Sequence, residues 1–439
     1  MRKMLGENAG FHNAGLTNAN AMRFEMTISH LAGKLARLLP QACAAGFLLA
    51  GVGAAEAQSF SVLYAFPQNG GLGNFPAQMT MIEGTDGDYY GTTFAGGNDQ
   101  NYSGGAGTVF KVTPSGQLTQ LWAFSCAQGG SCLNGRTPQG GVIEASDGNF
   151  YGMTTAGGTY NDGTIYRITS AGSLTTLYSF CWYPNTCSPY SGGNPVGPLM
   201  QASNGDLYGT TTSGTAFKIS LKGKFKLLYT WPVSGSDGWL LQVGKVLYGT
   251  TTTGGANNLG SIFKMSLAGK VTTLYSFGSQ PNCADGQYPE AGLVRAANGA
   301  LYGTTEVGGT SGCGGYGTVF KITKKGQFTS IVSFQAGTTP ANPLAPLVLA
   351  PDGSLYGTTL YGGNPSAGFV YQIANDTLAN AWLFPGTNGC VGGTPYGGLM
   401  LASDGNLYGS DDDGDCVDSG TLFKFSIGNH AIESHRTQR

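Results

Sequence analysis

The densest concentration of chemically capable side chains lies near the end of the chain. Ser410-Asp-Asp-Asp-Gly-Asp-Cys-Val-Asp418 sets Asp411, Asp413 and Asp415 at alternate positions, with Asp418 close behind. Hard carboxylate oxygens crowded in this way suit a calcium ion, and their mutual repulsion makes a cation welcome. The match to a calcium loop is incomplete, because glycine falls at 414 and no glutamate stands twelfth from Asp411. Calcium is the one cofactor the sequence suggests, and a solvated acidic loop is the alternative reading.

Elsewhere the chemistry is bounded by what is missing. His12, His30, His430 and His435 are the only histidines, so the body of the chain has no imidazole for a Ser-His-Asp triad, a Cys-His pair or a His-ligated metal. Carboxylate or tyrosine chemistry is left, or binding without turnover. Asp162, Asp285 and Glu306 are candidate ligand-binding carboxylates. A glycosidase pair needs two such groups about 5–9 Å apart, and nothing in the sequence brings two together. The segment around Cys181-Trp-Tyr-Pro-Asn-Thr-Cys187 adds Trp182, Tyr183 and, just beyond, Tyr190, an aromatic wall suited to sugar rings or to a protein partner.

These residues must be placed by a repeat. Leu-Tyr-Gly-Thr-Thr or a close variant recurs with its tyrosine at Tyr90, Tyr151, Tyr208, Tyr248, Tyr302, Tyr356 and Tyr408. Each unit reads as four short β-rich runs, with Asn-Gly or Asp-Gly between the first two as a two-residue hairpin signal. Repeat 4 has Gly244-Lys245 there instead. Repeat 7 lacks its fourth strand, and Phe60-Ser-Val-Leu-Tyr-Ala-Phe66 at the other end supplies a match. The expected fold is all-β: a closed seven-bladed β-propeller of four-stranded antiparallel blades, its last blade completed by the N-terminal strand. The motif tyrosines and the recurrent third-strand Lys111, Arg167, Lys218, Lys264, Lys321 and Lys424 then read as structural.

The phrases Leu-Tyr-Gly-Thr-Thr-x-x-Gly-Gly, Gly-Thr-Val-Phe-Lys-Ile and Thr-x-Leu-Tyr-Ser-Phe resemble those of the GloVer-type tandem-repeat family of bacterial secreted β-propeller-like proteins, over residues 59 to about 426. The resemblance implies secretion and a propeller, and assigns no reaction. Members of that family often carry a surface-anchoring segment, for which the hydrophilic ending Gly428 to Arg439 is a poor match.

Residues 1–57 read as a leader with a signal peptide: Lys34 and Arg37 precede the apolar stretch 42–55, and Ala55-Glu56-Ala57 offers a cleavage site before Gln58. The apolar stretch is too short to span a membrane. The propeller is expected over 58–427 and a tail over 428–439. Export to an oxidising compartment makes the eight cysteines after the leader disulfide candidates. Repeat positions select Cys126–Cys132, Cys181–Cys187, Cys283–Cys313 and Cys390–Cys416; zinc, the rival, lacks a CxxC pair and a nearby histidine. After residue 57 there are seventeen basic and twenty-one acidic side chains and no basic stripe along the sequence, which argues against nucleic acid. The expectation is a secreted monomeric recognition or scaffold module, not an enzyme, that binds a glycan or extracellular protein through its loop-bearing face. An extracellular carbohydrate-active hydrolase or lyase and a purely structural surface protein are the alternatives.

Overall fold

Seven four-stranded antiparallel sheets follow one another along the chain as blades 1 to 7, at 82–123, 142–179, 200–230, 241–276, 294–333, 348–383 and 400–426. The computed structural model describes residues 58–67, 71–76, 79–97, 104–182, 190–233, 235, 239–335, 340–362, 367–384, 393–412 and 419–428. Strand Ser59–Ala65 is the outer strand of blade 7, paired antiparallel with Thr421–Ser426. Seven hydrophobic clusters lie between successive blades, and the one joining Phe110 of blade 1 to Tyr408 of blade 7 closes the ring. The fold is a seven-bladed β-propeller.

The repeated phrase forms the second strand of each blade, and every residue in it has its own task. In blade 3 the strand is Leu207–Thr211, buried throughout. Side chains alternate across a strand, so Leu207 enters the cluster shared with blade 2 and Tyr208 the cluster shared with blade 4. Each of the seven clusters holds one motif tyrosine. Gly209 lies opposite Phe217 in register, and a Cβ there would meet the ring's Cζ at 2.6 Å, so glycine is required by close approach. The second threonine pairs across the strands, Thr211 Oγ1 to Thr215 Oγ1 at 2.7 Å. The first threonine links blades near the axis: Thr250 Oγ1 donates to Ala291 O at 2.9 Å, Thr358 Oγ1 to Gly397 O at 3.1 Å, and Ser410 Oγ to Pro76 O at 2.7 Å across the closing seam.

The hydroxyl of the tyrosine reaches down to the hairpin turn. Tyr90, Tyr151 and Tyr408 donate to Asp86, Asp147 and Asp404 at 2.7–2.8 Å. The same carboxylates, or one next to them, hold the third-strand lysines: Lys424 pairs with Asp404 at 3.0 Å, and Lys111 with Asp88 at 2.7 Å. Blade 5 has Asn298 in its turn, and Asp376 of blade 6 takes over, accepting from Tyr302 at 2.8 Å and pairing with Lys321. These lysine heads are therefore paired and not merely solvated.

The turns themselves differ from the two-residue hairpins expected. In blade 1 the Gly87 amide donates to Gly84 O and the Gly84 amide to Asp88 O, and only Gly87 (φ 82°) is left-handed. That is a three-residue connection ending in a left-handed glycine, the common alternative to the two-residue type. Blade 4 does have a two-residue turn, with Val243 opposite Val246 and Gly244 at φ 64°.

Two consequences are measurable. Gly209→Ala should lower stability by about 1–3 kcal/mol through overpacking against Phe217, read as a lower urea midpoint with an unchanged slope. For Asp147, burial opposes ionisation, but hydrogen bonds from Asn149 and Tyr151 outweigh it and hold the carboxyl below its ordinary range. At Asp404, burial is likewise outweighed by Asn406, Lys424 and Tyr408. Folded pKa values below the unfolded ones stabilise the native state fully above about pH 4, and the effect is lost as pH falls through the depressed values. The melting-temperature gap between wild type and Asp147→Asn/Asp404→Asn should thus be full at about pH 6 and shrink below about pH 4; a constant gap would contradict this assignment.

Candidate functional site

The two faces of the ring are built differently. Short turns cover one, and longer loops the other, where each inter-blade connection pairs with the loop between second and third strands: Asn74 with Ala95, Arg136 with Ala156, Gln287 with Val307, Ala341 with Tyr361. Five of these connections contain a left-handed residue followed by proline: Phe75, Thr137, Asn194, Tyr288 and Asn342, with φ between 52° and 56°. Such a backbone costs about 1–3 kcal/mol for a non-glycine residue. It is held from both sides. The Asn194 amide donates to Asp162 O of the preceding blade, and Asn194 O accepts from the Thr212 amide, with the same double contact at Tyr288.

The axis opens on this face as a cavity of 280 Å³ lined from five blades: Val196 and Thr212 of blade 3, Trp239 of blade 4, Glu290 of blade 5, Leu344 and Pro346 of blade 6, and Tyr396 of blade 7. Val196, Glu290 and Leu344 each follow the proline of such a kink, and Tyr396 follows Pro395. Trp239 has a different origin. It stands two residues before the pairing position of the first strand, where the other blades carry Thr80, Gly141, Pro198, Gly292, Pro346 and Gly398. Gly292 makes room for it, since a Cβ there would lie 2.5 Å from Trp239 Cβ. One aromatic ring has replaced a small residue at the mouth. Aligning the repeats at that position could have revealed it; the departure of repeat 4 was otherwise visible only in its turn.

The structure divides the expected site residues between separate corners. Asp162 and Trp182 meet on the loops of blade 2, where the Trp182 amide donates to Asp162 Oδ2 at 2.8 Å; the carboxylate is 8 % exposed and the indole 39 %. Tyr190 is half-buried beyond them, and Tyr183 lies outside the described residues. Asp285 and Glu306 lie around blade 5. Asp285 is 0 % exposed, accepting from Tyr275 Oη at 2.8 Å and the Ser279 amide at 2.9 Å. Asp162 and Asp285, both candidate ligand-binding carboxylates, are thus buried and hydrogen-bonded within the protein. Glu306 leaves the second strand of blade 5 where Thr212 leaves that of blade 3, and burial pushes its carboxyl up.

Asp411 occupies the slot of the motif's second threonine, 4 % exposed and accepting from Thr421 Oγ1 at 2.5 Å. Asp413, Asp415 and Asp418 lie outside the described residues, and among the described residues no cluster of ligating side chains could hold a metal. Disulfides join Cys126 to Cys132 and Cys283 to Cys313. Cys181 is disulfide-bonded as well, while Cys187, Cys390 and Cys416 lie outside the described residues. No described helix is long and apolar enough to cross a membrane.

Residues 53–217, 184–315 and 240–437 match the Gloeobacter/Verrucomicrobia repeat. The chain belongs to that family. No curated protein matches the sequence of this repeat-family member. Among solved structures it is similar to the extracellular domain of a protein assigned as a hybrid two-component system from B. thetaiotaomicron (14 % identity, TM-score 0.53, 87 % of this chain and 42 % of that one). It is also similar to the extracellular domain of one assigned as a one-component system from the same organism (12 %, 0.47, 78 % and 37 %). A third is assigned as a 6-phosphogluconolactonase from Bacteroides uniformis (15 %, 0.47, 74 % and 90 %). The chain spans about two fifths of the length of the two extracellular domains. At these identities the likeness is one of fold.

The Cys283–Cys313 bridge ties the connection that carries Glu290 to the loop beyond Glu306. Cys283→Ser/Cys313→Ser should lower stability by about 2–4 kcal/mol through the freed loop, measured by urea denaturation under non-reducing conditions; an unchanged midpoint would contradict it.

Proposed function

We propose that the chain is a secreted, non-enzymatic recognition module that takes a small saccharide into the mouth of the ring. The observation that supports this most is Trp239, an aromatic ring where the other blades carry small residues, sharing a cavity with Tyr396 and Glu290. Aromatic faces stack on the apolar faces of sugar rings, and a carboxylate accepts from their hydroxyls. A volume of 280 Å³ falls near the lower end of ordinary ligand pockets, at about 300 Å³. One small ring system fits better than a polymer segment. Secretion is supported by the signal-like leader and by the disulfides, which persist in oxidising compartments.

Titration with mono- and disaccharides, followed by melting temperature, tests this. A ligand at about a hundred times its dissociation constant adds about 2.7 kcal/mol, a shift of degrees in wild type that Trp239→Ala should abolish. A flat panel, or an equal shift in the variant, would sink the proposal.

A further inference from the structure

We propose that the turn-bearing face of blades 3 to 5, opposite the mouth, binds an acidic polysaccharide, carboxylated or sulfated. Lys222 and Lys224 of blade 3, Lys245 and Lys270 of blade 4, and Lys324 and Lys325 of blade 5 all sit on its turns and are all exposed. Lys226 and Arg295 extend the patch at adjacent strand ends, also exposed. No ion pair among the described residues engages any of these eight cations. The nearby carboxylates are already committed, Asp206 to Lys218 at 2.6 Å and Asp376, at the border with blade 6, to Lys321. The same face of the other blades is different: it carries Glu83, Asp86, Asp88, Glu144, Asp147, Asp352 and Asp404.

The fold does not require these lysines. The turn from third to fourth strand has one design in blades 1 to 5: a Ser or Thr hydroxyl accepts from the amide four residues on, at 3.0 Å for Thr113 and 3.1 Å for Thr169, Ser220, Ser266 and Thr323. Blades 1 and 2 fill it with Pro114-Ser115 and Ser170-Ala171, and blades 3 to 5 add lysine to the same backbone. Three consecutive blades thus present rigid cationic points that a linear polyanion can cross, releasing counterions as it binds. Leu221 and Leu267 of these turns pack back on the core, and no large apolar side chain on the patch is exposed among the described residues. That disfavours insertion into lipid and stacking of nucleic-acid bases, which both use exposed apolar or aromatic groups. The mouth face has the opposite sign: its described loops and strand ends carry Asp162, Asp285, Glu290, Glu306, Asp411 and Asp412 against Arg136. A polyanion would therefore attract one face and leave the mouth turned outward.

The test is retention of the whole secreted protein on immobilised dextran sulfate and polygalacturonate, with neutral dextran as control. Affinity for at least one of the two should fall at least about tenfold between about 50 and 200 mM NaCl. Lys222→Gln/Lys224→Gln/Lys245→Gln/Lys270→Gln/Lys324→Gln/Lys325→Gln should lose at least about tenfold at low salt with an unchanged melting temperature, and the six-arginine counterpart should retain binding. If the sixfold variant does not fold, Lys222→Gln/Lys224→Gln/Lys226→Gln and Lys270→Gln/Lys324→Gln/Lys325→Gln should each show part of the loss. Equal retention of wild type and glutamine variants overturns the proposal. So does tighter binding to phosphatidylglycerol–phosphatidylcholine vesicles or to an oligodeoxythymidylate than to either polysaccharide.

Discussion

Everything in this molecule hangs on the tyrosine of each second strand, whose ring is buried against the next blade, while the hydroxyls of Tyr90, Tyr151, Tyr208, Tyr302 and Tyr408 are tied to turns. A blade alone cannot bury that ring; it needs a neighbour. Seven such rings, one in each inter-blade cluster, make each blade depend on its neighbours for burial. Around it the rest of the phrase follows: leucine turns to the preceding blade, glycine admits the third-strand aromatic, and the threonines satisfy each other and the next blade's carbonyls.

A scaffold this uniform makes its exceptions informative. A departure from the pattern marks where a role other than folding is to be sought. Trp239 is such a departure at the mouth, and the lysine-bearing turns of blades 3 to 5 are another on the opposite face. Asp376 is the instructive contrast. It looks like an isolated turn residue, but it replaces the carboxylate missing beside Asn298, so that exception restores the pattern.

The fold was legible because it is written seven times. The period, the hairpin glycines and the displaced Phe60–Phe66 strand each have a local cause, and together they left little choice of architecture. Turn geometry was less legible, because Asp-Gly serves both a two-residue turn and the three-residue one that blades 1 to 3 and 5 to 7 use. The mouth was hidden by topology. Val196, Trp239, Glu290, Leu344 and Tyr396 are spread over two hundred positions and meet only because five blades converge on an axis. The aromatic run from Trp182 to Tyr190 pointed elsewhere, because Trp182 lies on the loops of blade 2 against Asp162. The basic patch escaped for a related reason: lysines scattered from 222 to 325 form no run, and an overall negative charge conceals their common face.

Both surfaces depend on a closed ring that behaves as one body, and closure depends on strand Ser59–Ala65 in the outer position of blade 7. The most direct measurement is urea unfolding of residues 58–439 beside 67–439, followed in parallel by tryptophan fluorescence and far-ultraviolet circular dichroism. Coincident single transitions in the longer protein, with loss of the cooperative transition in the shorter one, are the predicted result. A shorter protein that unfolds cooperatively at the same midpoint would contradict the account, because the ring would then hold without its clasp.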